Sequence, residues 1–69
     1  MGWKKTSMTH WALTIPGLGV VAAVEQVGPS VYIGATDYAS EDFETLGLAK
    51  QETEGRVRRE IKRGYHSQD

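Results

Sequence analysis

Leu46, Ala49, Thr53, Val57 and Ile61 recur at intervals of three and four residues, and no other pattern restricts the fold of this chain so strongly. At about 100° of turn per residue these side chains gather within an arc of about 120°, the stripe of one long amphipathic helix. Thr45 stands just before the stripe as an N-cap, and Gly64 just after it as a stop. Charge follows the helix dipole, with Asp42 and Glu44 at the start and Lys62 and Arg63 at the end. Glu52 with Arg56, and Glu54 with Arg58, have the i,i+4 spacing of acid-before-base pairs, each adding about 0.2–0.5 kcal/mol.

Upstream of the helix the period changes from three and four to two. Trp11, Leu13 and Ile15 alternate with Ala12 and Thr14, as in a half-buried strand, until Pro16 and Gly17 end it. Residues 20–27 resume as a second strand, reached through the tight connection that Gly17 and Gly19 permit. Either Val20, Ala22 and Val24 or Val21, Ala23 and Val27 can face the core, and Glu25 among the second set favours the first. After the turn signal Gly28-Pro29-Ser30, VYIGAT reads as a third strand with Val31, Ile33 and Ala35 inward and Tyr32, Gly34 and Thr36 outward. Residues 37–42 read as a polar loop, and Phe43 as a plug between sheet and helix. The expected fold is α+β, a three-stranded antiparallel meander packed against one C-terminal α-helix. The domain spans 11–64, with a flexible N-terminal leader over 1–10 and a C-terminal tail over 65–69.

Such a chain has little room for chemistry. At 69 residues it is a single domain with a small core, and it has no cysteine for a disulfide or a thiolate zinc site. His10 and His66 lie near opposite ends without metal-ligand spacing, so neither metal nor cofactor is expected. Gly17 to Gly19 is a lone Gly-x-Gly on a hairpin rather than before a helix, which fails the structural condition for a phosphate loop. Glu41, Asp42 and Glu44 read as dipole partners of a helix start, not as an acid/base cluster, and no catalytic activity is expected. The longest apolar-rich run, 11–24, is broken by Thr14, Pro16, Gly17 and Gly19, so no membrane span is expected and the location is read as cytoplasmic. MGWKKT fits the pattern for N-myristoylation, but its plain reading is the leader.

What the helix does not need for its own stability marks where a partner would land. Gly55 lies mid-helix on the outer face and Leu48 projects away from the stripe. With Gln51, Arg59 and Lys62 they form one outer strip. Leu48, Gly55, Arg59, Lys62, Tyr32 and Tyr38 are therefore the candidate partner-binding residues, since exposed aromatics beside arginine anchor protein interfaces. The alternative partner is nucleic acid. Arg56, Arg58, Arg59, Lys62 and Arg63, with Lys4 and Lys5, would contact phosphates without reading sequence. Against it, no Lys or Arg occurs between Lys5 and Lys50, while Glu25, Asp37, Glu41, Asp42 and Glu44 do. A homodimer through an uncovered strand edge is a third option.

The order of a Trp-led strand, a Gly turn, a Val-rich strand and a Tyr-bearing strand precedes a helix opened by Phe43, Thr45, Leu46, Ala49, Lys50 and Glu54. That order resembles short uncharacterised proteins encoded by bacteriophages and prophages, which often carry acids where Gly47 and Leu48 stand here. The resemblance implies a β-β-β-α shape and an accessory role, frequently the binding and inhibition of a host factor. The function expected is a non-enzymatic interaction module binding a host or cognate protein.

Overall fold

The structure, a computed structural model, describes residues 1–66. Five strands come first, β1 (Gly2–Ser7), β2 (His10–Ile15), β3 (Gly19–Gly28), β4 (Val31–Thr36) and β5 (Ser40–Phe43), and the helix α1 (Leu46–Lys62) follows. Each strand pairs antiparallel with its neighbour in sequence, so the sheet is an unbroken meander, β1-β2-β3-β4-β5. The architecture is the expected α+β arrangement of one helix on an antiparallel sheet, but with five strands in place of three. Both additional strands are edges. Gly2–Ser7 arises within the segment read as a leader, and Ser40–Phe43 within the segment read as a loop ending at Phe43. An edge strand needs backbone pairing on one side only, so neither GWKKTS nor SEDF requires the apolar alternation by which a central strand is recognised.

The helix lies on one face of the sheet, and two buried clusters fill the space between. Leu13, Val21 and Ala22 meet Val57, with Trp3, Ile15 and Leu18 packed alongside. Trp11 and Val24 meet Ala49, with Tyr32, Phe43 and Leu46 around them. Trp3 spans both clusters, and its indole Nε1 donates to Glu54 Oε1 at 3.2 Å, tying the β1 edge to the helix. Phe43 fills the plug position anticipated for it.

Strand polarity departs from expectation at two places. In β4 the faces are reversed: Tyr32 packs against the Trp11 cluster, Gly34 is buried under the helix, and Thr36 reaches a helix carboxylate, while Val31 is exposed. Register makes this necessary, because Trp11, Val24 and Gly34 are cross-strand partners in succession and so share the helix side of the sheet. A Cβ at position 34 would overlap Thr53 Oγ1 and come within 3.1 Å of Phe43, so only glycine lets the helix approach this closely. In β3, Ala22 and Val24 face inward as favoured, but Val20 is 62% exposed and Val21 is buried in its place. The cause is a register shift opposite Leu13 and Thr14, which skips Val21 in the pairing and turns Val20 out.

The helix begins as anticipated, with Thr45 Oγ1 accepting from the Leu48 amide at 3.1 Å. Ala49, Thr53 and Val57 are buried along the stripe. At its last turn the stripe passes to Glu60 rather than Ile61, which is 40% exposed. No helix among the described residues is long and apolar enough to cross a membrane.

Candidate functional site

The end of α1 is built by two interlocking devices. Gly64, at φ 84°, turns the chain back, so that the Gly64 amide donates to the Ile61 carbonyl (2.9 Å) and the Tyr65 amide to the Glu60 carbonyl (2.9 Å). This double bond pattern is the Schellman stop, which a left-handed glycine just past the helix end permits. The second device is the Glu60 side chain, buried at 7% exposure. Its Oε2 accepts from Thr36 Oγ1 at 2.6 Å and its Oε1 lies 2.7 Å from His66 Nε2. Both carboxylate oxygens are thus satisfied, one by β4 and one by the chain after the helix, which is what makes a buried acid tolerable. Within the segment read as a tail, Tyr65 and His66 are consequently held on the domain, and 67–69 lie outside the described residues.

Tyr38 completes the closure from the β4–β5 connection. Thr36 Oγ1 accepts from the Tyr38 amide (3.1 Å), and the Thr36 amide donates to the Ala39 carbonyl (2.8 Å), fixing the turn. The Tyr38 hydroxyl then donates to the Tyr65 carbonyl at 2.6 Å, with the two rings 5.0 Å apart and the His66 ring edge-on at 5.5 Å.

Between this aromatic wall and the helix lies a cleft of about 310 Å³. Arg56, Arg59 and Arg63 line one side, Tyr38 and Tyr65 the other, with Ala39 and Glu60 completing the surface. Spacings of three and four put the arginines on one stripe of the helix, with Arg59 about 4.5 and 6 Å along the axis from its neighbours. Arg56 Nη2 is held by Glu41 Oε1 of β5 at 2.9 Å instead of by Glu52, the i−4 partner expected from sequence. The guanidinium groups of Arg59 and Arg63 make no ion pair or side-chain hydrogen bond among the described residues. The chemical character of the cleft is therefore positive, rich in N–H donors and flanked by aromatic surface, which suits anion recognition.

The residues singled out from sequence divide around this cleft. Tyr38 and Arg59, from the partner-binding set, line it together with Arg56 and Arg63 from the nucleic-acid set. Lys62 is exposed beside the cleft without lining it, and Arg58 pairs with Glu54 at 2.9 Å as its spacing implied. Leu48 is exposed and Gly55 half-exposed, but Leu48 stands about 16 Å along the helix from Arg59. Tyr32 belongs to the packing between sheet and helix, its ring 6.4 Å from that of Trp11, so it is no surface anchor. Lys4 and Lys5 lie on β1, at the sheet edge opposite β5, and the Lys5 ammonium sits 5.5 Å over the Trp11 ring. The bases of the nucleic-acid reading are thus split between the β1 edge of the sheet and the C-terminal half of the helix.

Tyr65, Glu60 and Ala39 were missed by sequence reasoning. For Tyr65 a signal existed: the residue after a helix-stopping glycine commonly packs back on the last turn. Glu60 was hidden because a carboxylate in a core-facing position is recognised only once its partners are known. Among the described residues no cluster of three or more His, Cys, Asp or Glu could hold a metal ion. No protein-family model matches the chain, and neither the curated proteins nor the solved structures include a significant match.

Proposed function

We propose that this protein is a small non-enzymatic interaction module that captures an acidic segment of a partner protein in the cleft between Arg56, Arg59, Arg63 and the tyrosines Tyr38 and Tyr65. The observation that carries this reading is that Arg59 and Arg63, whose guanidinium groups make no ion pair among the described residues, line a preformed concave surface with aromatic walls. Arginine and tyrosine are the residues that concentrate binding energy at protein interfaces. A non-catalytic role is supported by the lining itself. Its ionisable groups are arginines, tyrosines and a carboxylate whose two oxygens already bind Thr36 and His66, with no nucleophile poised beside a base. Within this reading the partner is a host protein and the chain a phage-type accessory or inhibitory protein acting in the cytoplasm, as the resemblance of its helix-opening motif implies.

The second reading, nucleic acid along the basic helix end, draws on the same arginines. Acids oppose it: Glu41 is fixed at the cleft by Arg56, and Asp37 precedes Tyr38, so a continuous phosphate backbone leaving the cleft meets negative charge. The test is capture of partners from host lysate by the wild-type chain and by an Arg59→Glu/Arg63→Glu variant, alongside a low-salt gel shift with single- and double-stranded oligonucleotides. The interaction reading expects a partner retained by the wild type, lost by the variant, and no oligonucleotide shift. Retention by both proteins, or a shift that weakens steeply with salt, sinks it.

A further inference from the structure

We infer that the ligand of the cleft is a phosphate monoester carried on a peptide side chain; this rests on the reading that the cleft holds a segment of a partner protein. Three features separate a phosphoryl group from a plain carboxylate. First, the donors exceed what one carboxylate uses. Arg59 and Arg63 each present a planar fork of N–H groups, and Arg56 stands one turn before Arg59, steadied by Glu41. A phosphate monoester offers three acceptor oxygens and nearly two negative charges in one compact group.

Second, the positive potential is local. Glu41 is paired with Arg56 of the cleft lining, Asp37 directly precedes Tyr38, and upstream on the helix Glu54 is paired with Arg58. A long polyanion finds no continuous positive track, whereas a compact dianion needs only Arg59 and Arg63, which carry no carboxylate partner among the described residues. Third, the opposite wall is aromatic and held in place. The Tyr38 hydroxyl is committed to the Tyr65 carbonyl, so what Tyr38 offers a ligand is ring surface, suited to covering the carbon atoms that carry the phosphoryl oxygen.

The test uses the full chain and fluorescence anisotropy with labelled acidic peptides. One series carries phosphotyrosine or phosphoserine at the centre, a second the unmodified residue, and a third glutamate. Unlabelled inorganic phosphate and a short single-stranded DNA serve as competitors. The phosphopeptide is expected to bind at least about tenfold tighter than its unmodified and glutamate forms. Arg59→Gln and Arg63→Gln should each remove about that advantage. Arg59→Lys should recover only part of it, because the charge returns without the bidentate fork. Lys5→Gln, on the far edge of the sheet, should change nothing, and matching far-ultraviolet circular dichroism and melting curves exclude misfolding as the cause. Inorganic phosphate should compete only at concentrations far above the peptide's. Equal binding of the phosphorylated and glutamate peptides overturns the phosphate assignment and leaves the acidic-segment reading standing. Competition by inorganic phosphate at the peptide's own concentration overturns the peptide-borne source. DNA binding without peptide binding overturns both readings.

Discussion

Two glycines show how differently the same residue type acts. Gly34 is in a strand, buried, with Thr53 Oγ1 where its Cβ would be. Gly34→Ala must displace the Thr53 side chain, or the helix that carries it, and should destabilise the protein by about 1–3 kcal/mol, read as a lowered urea midpoint at unchanged slope. Gly55 is mid-helix, and a Cβ there would meet only Arg59 Nη1, at an ordinary 3.6 Å. Gly55→Ala should therefore stabilise by about 0.5–1 kcal/mol, and a lowered midpoint would show that the position is more confined than it is here. From sequence alone the two glycines could not be ranked in this way. Gly55 was legible as a helix flaw because the helix period was clear. Gly34 was not, since a glycine among Tyr, Ile and Ala carries no mark of which face it lies on, and the polar Thr36 beside it argued for the wrong one. Leu13, 0% exposed at the centre of one cluster, is the residue whose loss matters most to the core: Leu13→Ala should cost about 2–5 kcal/mol, and in a domain this small should leave a large unfolded fraction by circular dichroism.

At the scale of elements, the helix and the central strands were legible and the edges were not. A helix of 17 residues with a Thr cap and a glycine stop repeats its pattern often enough to be recognised, and β2 and β3 bury enough Leu, Val and Ala to show a period of two. β1 and β5 announce themselves only through pairing. The helix end was half legible, since Gly64 gave the stop but not the fold-back that it makes possible. That fold-back depends on Glu60. Glu60→Ala leaves the Thr36 hydroxyl and the His66 ring without their shared partner and should cost about 1–3 kcal/mol. Local loosening should exceed the global effect, so that the Tyr65 amide exchanges with solvent faster in the variant than core amides such as Val24 do. If the Tyr65 amide keeps its protection, the Schellman bond alone holds the segment, and the Glu60 carboxylate is not what closes the cleft.

The whole molecule is a five-stranded sheet with one helix, whose functional asymmetry lies along the helix axis. Its buried stripe of Ala49, Thr53, Val57 and Glu60 packs on the sheet along its length, while Arg56, Arg59 and the capping Arg63 at its C-terminal end line the cleft with Tyr38 of the β4–β5 connection. A net charge of −1 conceals this arrangement, because acids on the sheet side offset bases concentrated at one end. Sequence reading placed the bases there and marked Arg59 and Tyr38, but it could not join them, because nothing in the chain's order reveals that residue 38 and residue 65 meet.

Amide NMR of the isotope-labelled chain, titrated with the acidic phosphopeptide, tests that geometry directly. The account predicts shifts confined to Tyr38, Ala39, Arg56, Arg59, Arg63 and Tyr65, saturating together along one binding curve. Shifts centred instead on Leu48 and the start of the helix, or on Lys4 and Lys5 at the β1 edge, would contradict it.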